Sequence, residues 1–113
     1  MPASPGKLLR LHFTERDRYQ GKPLHAAVIE KCRELQISGA TVFRGLEGYG
    51  ETAEIHRSHV LRHDLPIVVQ IVDTPENIDR LMPVLEAMLD RGLLAVSDVS
   101  MIRIQKTQGA GSV

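Results

Sequence analysis

Residues 65–89 read as a strand running directly into a helix, and this pairing limits the fold more tightly than any other stretch. Ile67, Val68, Val69, Ile71 and Val72 nearly fill both faces of a strand that ends near Asp73, with Pro66 at its very start. Thr74-Pro75-Glu76 then opens a helix, with a hydroxyl N-cap, a proline at the first helical position and an acid in the first turn. Ile78, Leu81, Met82, Leu85, Met88 and Leu89 recur at helical spacing and form one full apolar face. Pro83 interrupts the hydrogen-bond ladder and predicts a kink without ending the pattern, and Gly92 closes it.

The rest of the chain supplies matching parts. Residues 7–13 alternate as a strand, with Leu9, Leu11 and Phe13 on one face and Arg10 and His12 on the other. Residues 14–21 form a highly charged connection, and its acids Glu15 and Asp17, interleaved with Arg16 and Arg18, read as a solvated ion-pair surface. Pro23 suits a first helical position, and Leu24, Ala27, Val28, Cys32 and Leu35 keep an apolar stripe behind it. Gly39 is the expected left-handed cap of that helix. Residues 40–44 are a short β-branched and aromatic strand, and the last strand is expected at about 96–104.

The order is strand, helix, strand, strand, helix, strand. It predicts an α+β, ferredoxin-like split βαβ sandwich (βαββαβ), a four-stranded antiparallel sheet with two helices on one face. Residues 7–104 form the domain, behind a flexible lead-in at 1–6 and before a polar, glycine-bearing tail at 105–113. The second sheet face carries apolar as well as polar residues and no third layer remains to cover it, so the chain is expected to associate with copies of itself.

Composition bounds the partners. The 113 residues suit one domain, and the 14 Lys and Arg balance the 14 Asp and Glu, leaving no whole-chain field for nucleic acid. With no Trp and only four aromatic residues, base-stacking platforms are lacking as well. Cys32 is the single cysteine and sits on the apolar stripe, where a buried hydrophobe is expected rather than a nucleophile. No run approaches the length of a membrane span, and the chain reads as a soluble cytoplasmic domain without membrane insertion.

Chemistry concentrates in the connection between the second and third strands, residues 46–64, which is longer than a hairpin needs. The strand before it exits through Gly45, Gly48 and Gly50, where a backbone can approach a ligand or another chain closely. Three readings stay open. His56, His59 and His63, at spacings of three and four, would share a helical face and bind a metal, with Glu54 as a fourth ligand. Alternatively, Arg44, the glycine amides and Arg103 of the last strand would hold an anion such as a nucleotide phosphate. In the third reading the loop, with Tyr49 at its base, is an arm that contacts a protein. A small ferredoxin-like enzyme with His12, His25 or a loop histidine as general base is the remaining alternative, but no nucleophile–base pair stands out by spacing.

Gly21-Lys22-Pro23-Leu24, Gly39-Ala-Thr-Val-Phe-Arg-Gly-Leu-Glu-Gly-Tyr-Gly50, Asp64-Leu-Pro-Ile-Val-Val and Val72-Asp73 together resemble the small PII-like proteins of a domain family of unknown function, related in fold to the nitrogen-regulatory PII signal proteins. The resemblance covers about residues 7–104. It implies a non-enzymatic, trimeric signalling protein that requires no cofactor, takes an adenine nucleotide (AMP, ADP or ATP) as effector in the cleft between subunits, and contacts a target such as a membrane transporter through the 46–64 loop. By this resemblance Arg44, Gly45, Glu47, Gly48, Tyr49 and Gly50 correspond to the base of the target-contacting loop, and Arg103 to a phosphate-facing cation. The pattern departs at Arg91-Gly92-Leu93-Leu94, where PII proteins carry a glycine- and lysine-rich phosphate-gripping turn. One cation and one glycine there suit a mono- or diphosphate better than a triphosphate.

Overall fold

A computed structural model describes residues 2–49 and 65–106 of the chain. Its elements are β1 (Ser4–Thr14), β2 (Arg18–Tyr19), β3 (Lys22–Pro23), α1 (Leu24–Glu34), β4 (Ala40–Arg44), β5 (Pro66–Asp73), α2 (Pro75–Met88) and β6 (Leu93–Met101). The four long strands form an antiparallel sheet in the order β4-β5-β1-β6, and β2 and β3 make a separate small hairpin. This is the expected ferredoxin-like sheet with two helices.

Strand periodicity decides the two faces. Leu9 of β1 pairs with Ile71 of β5, and Leu11 with Val69, so alternate residues of both strands point to one side. Leu9, Leu11, Phe13, Ile67, Val69 and Ile71 are all buried there, against Leu24, Ala27, Val28 and Cys32 of α1 and Ile78, Leu81, Leu85 and Met88 of α2. Both helical stripes therefore face the core as their spacing predicted, and α2 continues through Pro83. Residues one step along the strands point the other way, and no described element covers them. Leu8, Phe43, Val68, Val72, Leu93 and Val99 lie on that side, with Phe43 49% and Leu93 61% exposed.

Boundaries shift where pairing, rather than local pattern, sets them. β6 begins at Leu93 and stops at Met101, three residues before the expected span at each end. Its pairing with β1 runs from His12↔Leu93 to Ser4↔Met101, where β1 itself begins. The same pairing draws Ser4, Pro5 and Gly6 into β1, although the local sequence reads as a lead-in. Pro5, lacking an N–H, falls where β5 no longer flanks β1, since that pairing begins at Lys7.

The charged connection after β1 also differs from expectation. It folds into the β2–β3 hairpin, whose two-residue turn places Gln20 at φ 50° and Gly21 at φ 82°. Pro23 ends this hairpin as the N-cap residue of α1 instead of opening the helix. At the other end of α1 the left-handed position is Gln36 (φ 60°), not Gly39. Ile37 N–H donates to Cys32 O at 2.9 Å and Gln36 N–H to Arg33 O at 3.1 Å, which is a Schellman closure with buried Ile37 as its apolar anchor.

One buried acid ties the layers together. Asp73, 4% exposed, accepts hydrogen bonds from Ser38 N–H (2.8 Å), Thr74 N–H (2.7 Å) and Asn77 Nδ2 (3.0 Å). Burial pushes its pKa up, but these donors outweigh burial and hold it below the ordinary 3.8. Thr74 Oγ1 caps α2 by accepting from Asn77 N–H at 3.2 Å. The end of β5, the exit of α1 and the start of α2 thus converge on one carboxylate.

Candidate functional site

At one end of the sheet, the end of β4 meets the start of β5. Gly45 N–H donates to Pro66 O at 2.8 Å, and a Cβ on either Gly45 or Gly48 would lie 2.8 Å from Pro66 Cγ. The two glycines let the chain leaving β4 fold closely over Pro66. The backbone approach anticipated from these glycines is thus made to this proline, and the Gly45 amide is engaged by a carbonyl. Leu46 and Tyr49 stand 95% and 94% exposed on the outer side, beside exposed Glu47. Gly50, Glu54, His56, His59 and His63 lie outside the described residues, and the metal reading falls with them outside what the structure describes.

The same rim holds two ion pairs that the sequence reading did not anticipate. Thr14 and Asp17 form a tight turn: Asp17 N–H donates to Thr14 O (3.1 Å), while Thr14 N–H and Oγ1 donate to Asp17 Oδ2 (2.8 and 3.3 Å). This turn shelters the acids, whose side chains are only 14% (Glu15) and 15% (Asp17) exposed. Glu15 Oε2 contacts Arg44 Nη2 at 2.5 Å, and Asp17 Oδ1 lies 3.6 Å from Arg91 Nε. The expected solvated surface is therefore corrected. Glu15 and Asp17 are mostly sheltered, and they hold arginines brought from β4 and from the α2–β6 turn. That turn is pressed onto β1 at Gly92 (φ 133°), where a Cβ would meet His12 O at 2.7 Å. The available sequence signal was positional, since both acids directly follow the buried strand end at Thr14, on the rim that β4 and β6 must share in this sheet order.

Arg103 is elsewhere. It lies two residues past β6 and lines a groove of about 750 Å³ with Ser38, Gly39, Thr41, Gln70 and Ser100. That groove sits beside Val72 and Thr74, whereas Arg44 pairs with Ile67 at the other end of β5. Val72 is five residue steps along the strand from Ile67, a distance of roughly 17 Å. Within one chain, Arg44 and Arg91 share an end of the sheet and Arg103 occupies the opposite end.

A four-stranded sheet of this order, with two helices on one face and a long connection footed at Arg44 and Pro66, is a PII-like fold. The chain belongs to the DUF190 family, described as "Uncharacterized ACR, COG1993", whose model matches residues 6–101. A UPF0166 protein of Aquifex aeolicus is 40% identical over 98 residues, covering 85% of this chain and 92% of that protein. A UPF0166 protein of Methanocaldococcus jannaschii is 33% identical over 97 residues, covering 81% and 87%. Among solved structures, a PII-like protein from Thermus thermophilus superposes with a TM-score of 0.65 at 18% identity, covering 90% of this chain and 94% of that one. CPII, a nitrogen regulatory PII-like protein from Thiomonas intermedia bound to ADP, AMP and bicarbonate, superposes with a TM-score of 0.63 at 19% identity, covering 90% and 92%. At these identities the likeness to the solved structures is one of fold.

Proposed function

We propose that this is a non-enzymatic, cytoplasmic PII-like regulatory protein that assembles as a trimer, binds an adenine nucleotide at the seams between subunits, and meets a protein target, such as a membrane transporter, through residues 46–64. The observation that carries this reading is the shared fold, which CPII uses while bound to ADP and AMP. Three features of this chain support it. The sheet face that no described element covers, with Phe43 49% and Leu93 61% exposed, favours burial against copies. The separation of Arg103 from Arg44 and Arg91 gives a phosphate no shared grip inside one subunit, whereas a seam could join opposite ends of two sheets. The three arginines are cations of the kind that suits phosphate oxygens. A catalytic thiol is disfavoured, because burial pushes the Cys32 pKa up to about 11 and leaves the group protonated at neutral pH.

Calorimetric titration with ATP, ADP, AMP and cyclic AMP tests the ligand. We expect saturable heat with at least one of them, strongest for a mono- or diphosphate, and a clear loss of affinity in Arg44→Ala without unfolding. Absence of saturable heat with all four, using folded protein, removes the nucleotide from the proposal. An unchanged dissociation constant in Arg44→Ala removes that residue from the site.

A further inference from the structure

We propose that Glu15 and Asp17 are built-in competitors for anions at Arg44 and Arg91, so that a phosphate-bearing ligand binds by exchanging a protein carboxylate for its own oxygens. This deepens the nucleotide reading above by assigning the residues that set its affinity.

The asymmetry of exposure is the first argument. In the Glu15–Arg44 pair the acid side chain is 14% exposed and the arginine 62%; in the Asp17–Arg91 pair the values are 15% and 56%. Each arginine side chain presents more than half of its surface to solvent while the acid side chain paired with it is mostly sheltered. A guanidinium carries several N–H donors in a planar fork, so its outer edge remains able to engage an incoming anion.

Anchoring is the second argument, and it differs between the acids. Asp17 is fixed through Oδ2 by Thr14 N–H and Oγ1, leaving Oδ1 to reach Arg91 at 3.6 Å, beyond hydrogen-bond length. That contact is loose and easily yielded. Glu15 holds Arg44 at 2.5 Å, and its own N–H donates to Leu65 O at 3.0 Å. Its backbone is therefore pinned beside the start of β5 while its side chain grips the end of β4. Arg44 is the better held cation, and Glu15 is the stronger competitor. Because the two acids are two residues apart in one turn, a single anion arriving at this rim is opposed by both negative charges.

The test is titration of pyrophosphate, which carries charge but no base, into folded protein at low ionic strength. Glu15→Gln keeps the shape of the side chain and one acceptor oxygen and removes its charge. We expect it to tighten pyrophosphate binding on the order of three- to tenfold, as removal of a partly sheltered ion-pair partner should. The gain should vanish in Glu15→Gln/Arg44→Ala, a coupling that a merely structural brace would not produce. Asp17→Asn should give a smaller gain that depends on Arg91, and it serves as the second test should Glu15→Gln not fold. Equal or weaker binding in folded Glu15→Gln overturns the inference. So does a gain that survives Arg44→Ala, or no pyrophosphate heat in any folded variant. A protein that binds pyrophosphate more tightly as Glu15→Gln but takes no nucleotide would retain this inference and lose the adenine.

Discussion

Asp73 shows how much can hang on one side chain. It is 4% exposed, and its carboxylate is the shared acceptor of the Ser38 and Thr74 amides and the Asn77 side chain. Asp73→Ala leaves these donors without their acceptor, and we expect a loss of about 3 kcal/mol of unfolding free energy at neutral pH. The sign of its pH dependence follows from its lowered pKa. The unfolded chain binds the proton more readily than the native state, so the contribution is present above the ordinary 3.8 and disappears as pH falls through the native value. Urea unfolding of wild type and variant should differ most at pH 7 and converge toward pH 2; a constant gap would show that packing, not charge, carries the effect. At this scale the sequence was legible in part. Cys32 was expected in the core and is buried, because a stripe position is readable from spacing. The partners of Asp73, Glu15 and Asp17 were not readable, since Ser38, Arg44 and Arg91 come from other elements.

Elements with strong internal signals match their expected places. Thr74 caps α2 and Pro75 opens it, because hydroxyl, proline and acid satisfy the helix start locally. Elements defined by a neighbour moved instead. β6 follows its pairing with β1 and leaves Arg103 outside the strand, and the small hairpin appears in a connection that looked merely polar. The exit of α1 offers a direct test. Gln36 occupies a left-handed conformation at φ 60°, one that costs a side chain energy and costs glycine little. Gln36→Gly should therefore stabilise the protein by about 0.5 kcal/mol, read as a small rise in melting temperature, because the relieved strain exceeds the added unfolded-state entropy. A fall would show that the Gln36 side chain contributes more than its backbone costs.

For the molecule as a whole, the decisive feature is a sheet whose second face no described element covers. Phe43, 49% exposed, sits on the bare face beside Val68, its cross-strand partner. If that face is where copies meet, Phe43→Glu should shift the mass measured by light scattering toward a single chain while the far-ultraviolet circular dichroism stays native. Retention of the wild-type mass would place the contact elsewhere. By itself the sequence determined the order of the four long strands and two helices and the apolar stripe of each helix, because periodicity acts over a few residues and needs no distant partner. Tertiary structure alone decided which arginine meets which acid, that Gly45 and Gly48 pack on Pro66, and that Arg103 lies at the opposite end of the sheet from Arg44. Those contacts join residues far apart in the chain, and only the pairing register of the strands brings them together.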